Sequence, residues 1–409
     1  MKSKLTSLEK QWILYDVGNS AFVLLVSTIL PIYFNYLADS AKLASSDYLA
    51  YWGYAISIST LIVAALGPVL GSIADNKNFK KKLFCASLII GVIACLCLGV
   101  SSSWLVFLIV FVIAKTAYSV SLIFYDSMLT DITTEERMDT VSSNGYAWGY
   151  IGSCIPFIIS LLIVLNADKF GMPMATAMMI AFAITAAWWL VTSLPLLKNY
   201  KQLYYVEHGS HVVSTSFSRL LKTIKEIAKQ KKILFFLLAF FFYIDGVYTI
   251  IDMATAYGQS LGLDSTGLLL ALLLTQVVAF PCALIFGRFS KKFNSATLIR
   301  ICIAAYCGIA IYAIWLDSQL DFWMLAVLVG MFQGAIQALS RSYFAKIIPA
   351  DKSGEYFGIM DICGKGAAFF GTFLVSFISQ MTGSTSAGVG SLAIMFFIGF
   401  VLFCKAEKV

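Results

Sequence analysis

The chain has 409 residues, 60% of them apolar and only 12% charged, with a mean hydropathy of +0.85 and a net charge of +7. A soluble domain carries about twice that charge fraction, so the composition excludes an ordinary soluble enzyme and points to a chain that crosses a membrane many times. The positive excess is no nucleic-acid footprint, because nearly all of it falls in alternate connections between apolar runs.

The apolar runs number twelve, each long enough for a bilayer core, which takes about 20 residues of helix. In the first half they are Trp12–Leu37, Tyr48–Ala74, Leu83–Val100, Trp104–Leu129, Val141–Leu165 and Pro173–Leu197. In the second half they are Ile233–Tyr257, Gly267–Phe286, Thr297–Leu316, Phe322–Ile347, Tyr356–Met381 and Thr385–Cys404. In lipid each backbone polar group needs a partner within its own helix, so the expectation is an all-α membrane protein of twelve spans. The first run is too long for the apolar part of a cleavable signal, so none is expected. Connections on one side of these spans, with both termini, hold 22 Lys and Arg; those on the other hold two, Lys42 and Lys169. By the positive-inside rule both termini should be cytoplasmic, in the plasma membrane if the source is bacterial.

Between the sixth and seventh runs lies the one long stretch that cannot sit in a bilayer, from Lys198 to Lys232. It carries Lys198, Lys201, Arg219, Lys222, Lys225, Lys229, Lys231 and Lys232, and it divides the chain into bundles at 1–197 and 233–409 with a linker at 198–232. Within it Phe217, Leu220, Leu221, Ile224 and Ile227 recur at helical spacing with lysines between them. This reads as a basic amphipathic helix at the headgroup level that ties the halves together, with a solvated charged linker as the alternative.

Nine cysteines all fall inside apolar runs, away from any metal-ligand spacing, so free thiols used as small packing groups are expected. His208 and His211, the only histidines, sit in the linker without a third ligand. No metal, nucleotide loop or other cofactor is implied. Glycine pairs four apart at Gly67/Gly71, Gly145/Gly149 and Gly330/Gly334 suit close helix packing. Trp12, Trp52 and Trp104 fall at span ends, where indole rings commonly anchor at the interface.

A faint internal repeat is visible. Tyr15-Asp16-Val17-Gly18 opens the first span and Tyr243-Ile244-Asp245-Gly246 lies in the seventh. Gly71 to Lys82 follows the second span, and Gly287-Arg288-Phe289-Ser290-Lys291-Lys292-Phe293-Asn294 follows the eighth. Two six-helix halves related in this way are the pattern of a two-lobed transporter with a central site.

The Gly71–Lys82 loop resembles the signature loop between helices 2 and 3 of the major facilitator superfamily, through Gly71, Asp75, Lys80, Lys81 and Lys82. Asn78 stands where the pattern has Gly, and Asn tolerates the left-handed backbone that such a turn requires. The second copy keeps Gly287 and its lysines but has no acid equivalent to Asp75. Within that superfamily the chain resembles the vacuolar-effluxer branch, whose eukaryotic members export amino acids from the yeast vacuole during autophagy. The likeness is carried by Tyr15–Phe22, by Tyr125–Ile132 running on to Gly145–Gly152, and by Gln337–Ser342 with Glu355–Gly358 and Gly364-Lys365.

The resemblance implies two pseudo-symmetric six-helix bundles and a path lined by spans 1, 4, 7 and 10. Charge inside a bilayer costs about 2.5–3.5 kcal/mol per group on insertion scales, so each such residue needs a partner or a wet cavity. Those four spans supply Asp16, Asn19 and Ser20; Lys115, Tyr118 and Asp126; Asp245, Tyr248 and Asp252; and Gln333, Gln337 and Arg341. Lys115 and Asp245 are expected to face each other across the cavity, binding a zwitterion or exchanging a proton; a fixed ion pair is the alternative. Asp16, Asp126 and Arg341 are expected to form an inner gate, or else to be solvated helix ends. Asp361 and Lys365, four apart, read as a local helix pair.

The reading is a secondary transporter that works by alternating access as a monomer on a small polar or zwitterionic metabolite, an amino acid favoured, with proton coupling allowed. Lipid or drug export on the same fold, a membrane enzyme using His208 and His211, and a non-transporting receptor are the rivals. Expected partners are a small-molecule substrate, membrane lipids and protons, with no nucleic acid.

Overall fold

In the computed structural model, residues 4–43, 45–101, 103–207 and 212–409 are described, and twelve helices are long and apolar enough to cross a membrane. They are α1 (Ser7–Ser40), α2 (Ser45–Ala74), α3 (Phe79–Leu98), α4 (Trp104–Ile132), α5 (Glu135–Leu165) and α6 (Met174–Asn199) in the first half. The second half holds α7 (Lys231–Ser260), α8 (Ser265–Phe289), α9 (Ser295–Trp315), α10 (Gln319–Ile347), α11 (Ser353–Thr382) and α12 (Thr385–Lys408). No strand occurs among the described residues; a single bridge joins Asn76 to Val206. His208 and His211 lie outside the described residues.

Local chemistry sets where the helices begin and bend. Thr6 and Glu9 close a capping box at the start of α1, each side chain accepting the other's backbone N–H. A widened π turn at Leu25–Ile29 precedes Pro31, whose ring nitrogen has no hydrogen for the ladder. The turn between α2 and α3 closes on Asn78 at φ +67°, the left-handed conformation expected there.

Helix pairing repeats at an offset of six. In the first half α1 packs on α5 and α6, α3 on α4 and α6, and α2 on α4. In the second half α7 packs on α11 and α12, α9 on α10 and α12, and α8 on α10. The halves meet along α2–α11 and its counterpart α5–α8, with α5–α10 and α4–α11 beside them. At the α2–α11 crossing Gly71 and Gly354 touch backbone to backbone, so a Cβ on either would enter the other's carbonyl. The other two glycine pairs also line seams, Gly145/Gly149 against α1 and Gly330/Gly334 against α8.

The interfacial expectation needs correcting for Trp12, while Trp52 and Trp104 stay half-buried. Trp12 is fully buried, stacked on Tyr125 with centroids 4.3 Å apart, and its Nε1 donates to the Tyr125 carbonyl at 3.0 Å. Trp52 stacks on Phe34 and Phe111, and Trp104 on Tyr51. A ring with a hydrogen-bond donor that finds a carbonyl inside the bundle has no need of the interface.

Candidate functional site

Three layers of polar contacts close the terminus-bearing end of the bundle. At the centre Arg341 of α10 reaches into the first half. Its Nη1 donates to Asp126 at 3.0 Å, its Nη2 to Asp16 at 3.2 Å, and its Nε to Ser142 Oγ at 2.9 Å. Nη2 also meets the Ser142 carbonyl, and Asn19 steadies Asp16 from the turn above at 3.2 Å. The guanidinium lies between Trp12 and Tyr146, 4.5 and 4.4 Å from their centroids. Only Arg has a planar fork that serves two carboxylates and a hydroxyl at once, and its side chain is 4% exposed. A Cβ at Gly145 would strike both Asp16 and Arg341, so glycine is what lets the pair close there. The expected trio of Asp16, Asp126 and Arg341 is thus one cluster, and Trp12, Tyr146 and Ser142 join it.

The second layer surrounds the α2–α3 loop. Asp75 accepts the N–H groups of Gly354 and Glu355 at 2.7 and 2.9 Å, capping α11 across the two halves. Burial pushes the Asp75 carboxyl up to about 7, against the opposing pull of Lys80 and the two N–H groups. Lys80, fully buried, donates to Asp131 at 3.2 Å and to Ser353 of α11 at 2.9 Å. Asp131 also accepts from Tyr200 and from the backbone N–H groups of Leu203 and Tyr204 in the linker. Of the three expected lysines only Lys80 enters the core; Lys81 reaches the carbonyls of Lys198 and Tyr200, and Lys82 lies over the Phe79 ring.

The third layer is the counterpart on the other seam. Asp139 of α5 accepts from Ser295 of α9 and from Ser342 and Lys346 of α10, all at 2.6 Å. The second loop copy has no such acid, and on this seam the carboxylate that joins the halves comes from α5, accepting from side chains and not from a helix start. Sequence reasoning passed over it because the repeat was sought in the loop alone; Ser342 and Lys346, one turn apart on α10, were the signal. A cavity of about 580 Å³ opens beside this layer, lined by Glu136, Arg137, Lys291 and Asn294 among others.

Farther from that end the polar groups are more scattered, some exposed and others sealed in helix seams. Lys115 is half-buried and Asp252 exposed, and the charges that Lys115 feels are those of Asp252 and Lys365. The expected opposition of Lys115 and Asp245 is therefore corrected. Asp245 is fully buried in the seam of α7 with α11, held by Thr249 at 3.3 Å and pressed against Gly371. Asp252, two turns on, is the α7 acid left within electrostatic reach of Lys115, with no ion pair formed between them, because α11 seals the lower turn of α7. Asp361 and Lys365 do pair on α11, at 2.5 Å, but they also face this space. Oδ2 of Asp361 makes no hydrogen bond, and the side chain lies near Asp126 and the Tyr248 phenol. Tyr118 packs on Phe22 and Trp189, and Ser20 against Gly149. Gln333 is buried and Gln337 half-buried on the α10 face below.

A bundle of twelve spans paired with a six-helix offset, with ionisable groups of α4, α7 and α11 around its middle, is a transporter of the major facilitator fold. A solved fucose transporter of that superfamily in its outward conformation superposes with a TM-score of 0.73 at 14% identity, covering 98% of each chain. The chain belongs to the vacuole effluxer family, whose "Vacuole effluxer Atg22 like" model matches residues 42–407. It is 42% identical over 407 residues to the uncharacterized MFS-type transporter YxiO of Bacillus subtilis, covering 98% of this chain and 95% of that one. Autophagy-related protein 22-1 of Aspergillus fumigatus is 24% identical over 300 residues, 66% of this chain and 48% of the fungal protein. These relatives are transporters, not enzymes.

Proposed function

We propose that this chain moves a small zwitterionic metabolite, an amino acid in the first instance, by alternating access between lobes 1–197 and 233–409. In this reading the arrangement described is the state closed toward the cytoplasm, and the distribution of lysine and arginine supports placing the terminus-bearing end inside. The single observation that supports this reading is the reach of Arg341 from one half to Asp16 and Asp126 of the other. Among the described residues the ion pairs that join the halves lie at one end, while Asp252 at mid-depth stays exposed, as a closed gate beneath an accessible site needs. Lys115 takes the carboxylate of the cargo; Asp252 takes its ammonium group, with Asp361 and Lys365 as further contacts. The carboxyls of Asp245 and Asp252 are the proposed carriers of a coupled proton.

Purified protein in vesicles, offered radiolabelled amino acids with and without a pH gradient, tests this. Saturable flux that Lys115→Ala and Asp252→Ala both abolish supports the reading. Flux of lipids or of apolar cations only, unaffected by either substitution, would overturn it.

A further inference from the structure

The linker helix Val212–Lys229 is expected from its sequence to present one apolar face, but the fold divides that face in two. At 100° per residue, Ser216, Leu220, Thr223 and Ile227 fall in one arc of about 60°. All four are buried against the bundle. The seat is polar and spans both halves: Thr223 Oγ1 donates to Glu355 of α11 at 2.6 Å, and Arg219 joins Glu355 to the Ser72 carbonyl of α2. About 100° further round come Phe217, Leu221 and Ile224, and these are 50%, 49% and 47% exposed. A further 100° on stand Lys222, Lys225 and Lys229, all exposed. Protein, apolar and basic sectors thus succeed one another around a single helix.

The level of this helix is set by its neighbours. Gln230 alone separates it from the spanning helix α7, and its contacts Ser72 and Glu355 lie in the last turn of α2 and the first turn of α11. A sector at right angles to the protein-facing one, at that level, looks sideways along the membrane boundary. We propose that Phe217, Leu221 and Ile224 insert into the bilayer at the terminus-bearing leaflet, with Lys222, Lys225 and Lys229 on anionic headgroups. The occupant is lipid because the two outer sectors, apolar beside basic, match the acyl boundary and the phosphate layer in order. The helix is then held by lipid on one side while its other side clamps α2 to α11, so anionic lipid supports the closed end. This goes beyond the transport reading and does not rest on it.

Spin labels are placed singly at 217, 221, 222, 224 and 225 of the full chain, with the native cysteines replaced and thermal melting used to confirm folding. The protein is reconstituted in phosphatidylcholine vesicles with and without phosphatidylglycerol, and accessibility to oxygen and to a water-soluble nickel chelate is read. Labels at 217, 221 and 224 should favour oxygen, and those at 222 and 225 nickel. Phosphatidylglycerol should deepen the contrast, and Lys222→Gln, Lys225→Gln and Lys229→Gln together should remove that deepening. Equal nickel access at 221 and 222 would place the stripe in water and overturn the insertion. Exclusion of both reagents at 217 and 221, as a second copy seated there would cause, would overturn it too. A contrast indifferent to phosphatidylglycerol would overturn the headgroup part.

Discussion

Replacing Arg341 by Gln keeps a polar, hydrogen-bonding side chain, though a shorter one, and removes the charge that holds Asp16 and Asp126 together in the closed end. Arg341 and Asp16 are 4% and 8% exposed, so water screens their pair little; Asp126, at 27%, is better hydrated. Stripping one partner from a buried ion pair costs about 3–5 kcal/mol, because the remaining charge stays buried and unpaired. The lower end of that range is the appropriate one here, since Asp126 can draw on water and Gln can still donate to Ser142. About 3 kcal/mol on the closed form alone is a shift of roughly 150-fold in the closed-to-open ratio. The assay is a distance distribution between spin labels on the ends of α2 and α11, with expression and melting checked first. Wild type should give one short distance and Arg341→Gln a predominantly longer one, with flux reduced. Adding Asp16→Asn and Asp126→Asn to Arg341→Gln should restore the short distance, because no uncompensated charge remains. A single substitution that leaves both the distance and the flux unchanged would refute the idea that this cluster closes the end.

Asp75 supplies a pH test whose sign follows from its environment. Its carboxyl sits at about 7 when the end is closed and returns to about 4 when water reaches it. The closed form holds the proton more tightly, so this contribution is fully present below about pH 4 and is lost as the pH rises through 7. Asp75→Asn should flatten that part of the profile in the same distance measurement between pH 4.5 and 8; an unchanged profile would count against it. Lys80→Met should destabilise the protein by several kcal/mol, read as a lowered melting temperature, because Asp131 is left buried without its counter-charge. Gly354→Ala should force α2 and α11 apart, an overpacking cost of about 1–3 kcal/mol borne only by the closed form, and so lengthen the label distance. Asp245→Asn should leave equilibrium binding of the cargo within about twofold, a difference of some 0.4 kcal/mol, whereas Asp252→Asn should weaken it tenfold or more; isothermal titration separates them.

How much of this was legible depends on the reach of each physical cause. Twelve spans, their bounds to within a few residues, and the Asn78 turn follow from local rules. Lipid demands an unbroken apolar run, and a left-handed turn demands Gly or Asn. The cluster of Asp16, Asp126 and Arg341 was also within reach, because a charged residue near a span end must find an opposite charge on another span. What no local rule states is which charge meets which. Asp252 and not Asp245 lies within electrostatic reach of Lys115 because α11 covers one turn of α7 and leaves the next open. Asp139 joins the halves on the second seam because α9 and α10 bring Ser295 and Lys346 to α5. Trp12 leaves the interface for the core because Arg341, 329 residues away in the chain, needs an aromatic face at that spot. The sequence by itself determined the number of spans, their polarity and the stock of buried charge, since a bilayer tests each helix separately. The pairing of those charges was decided by tertiary packing alone, because electrostatic partners in a low-dielectric interior are chosen by distances of a few ångströms between helices far apart in the chain.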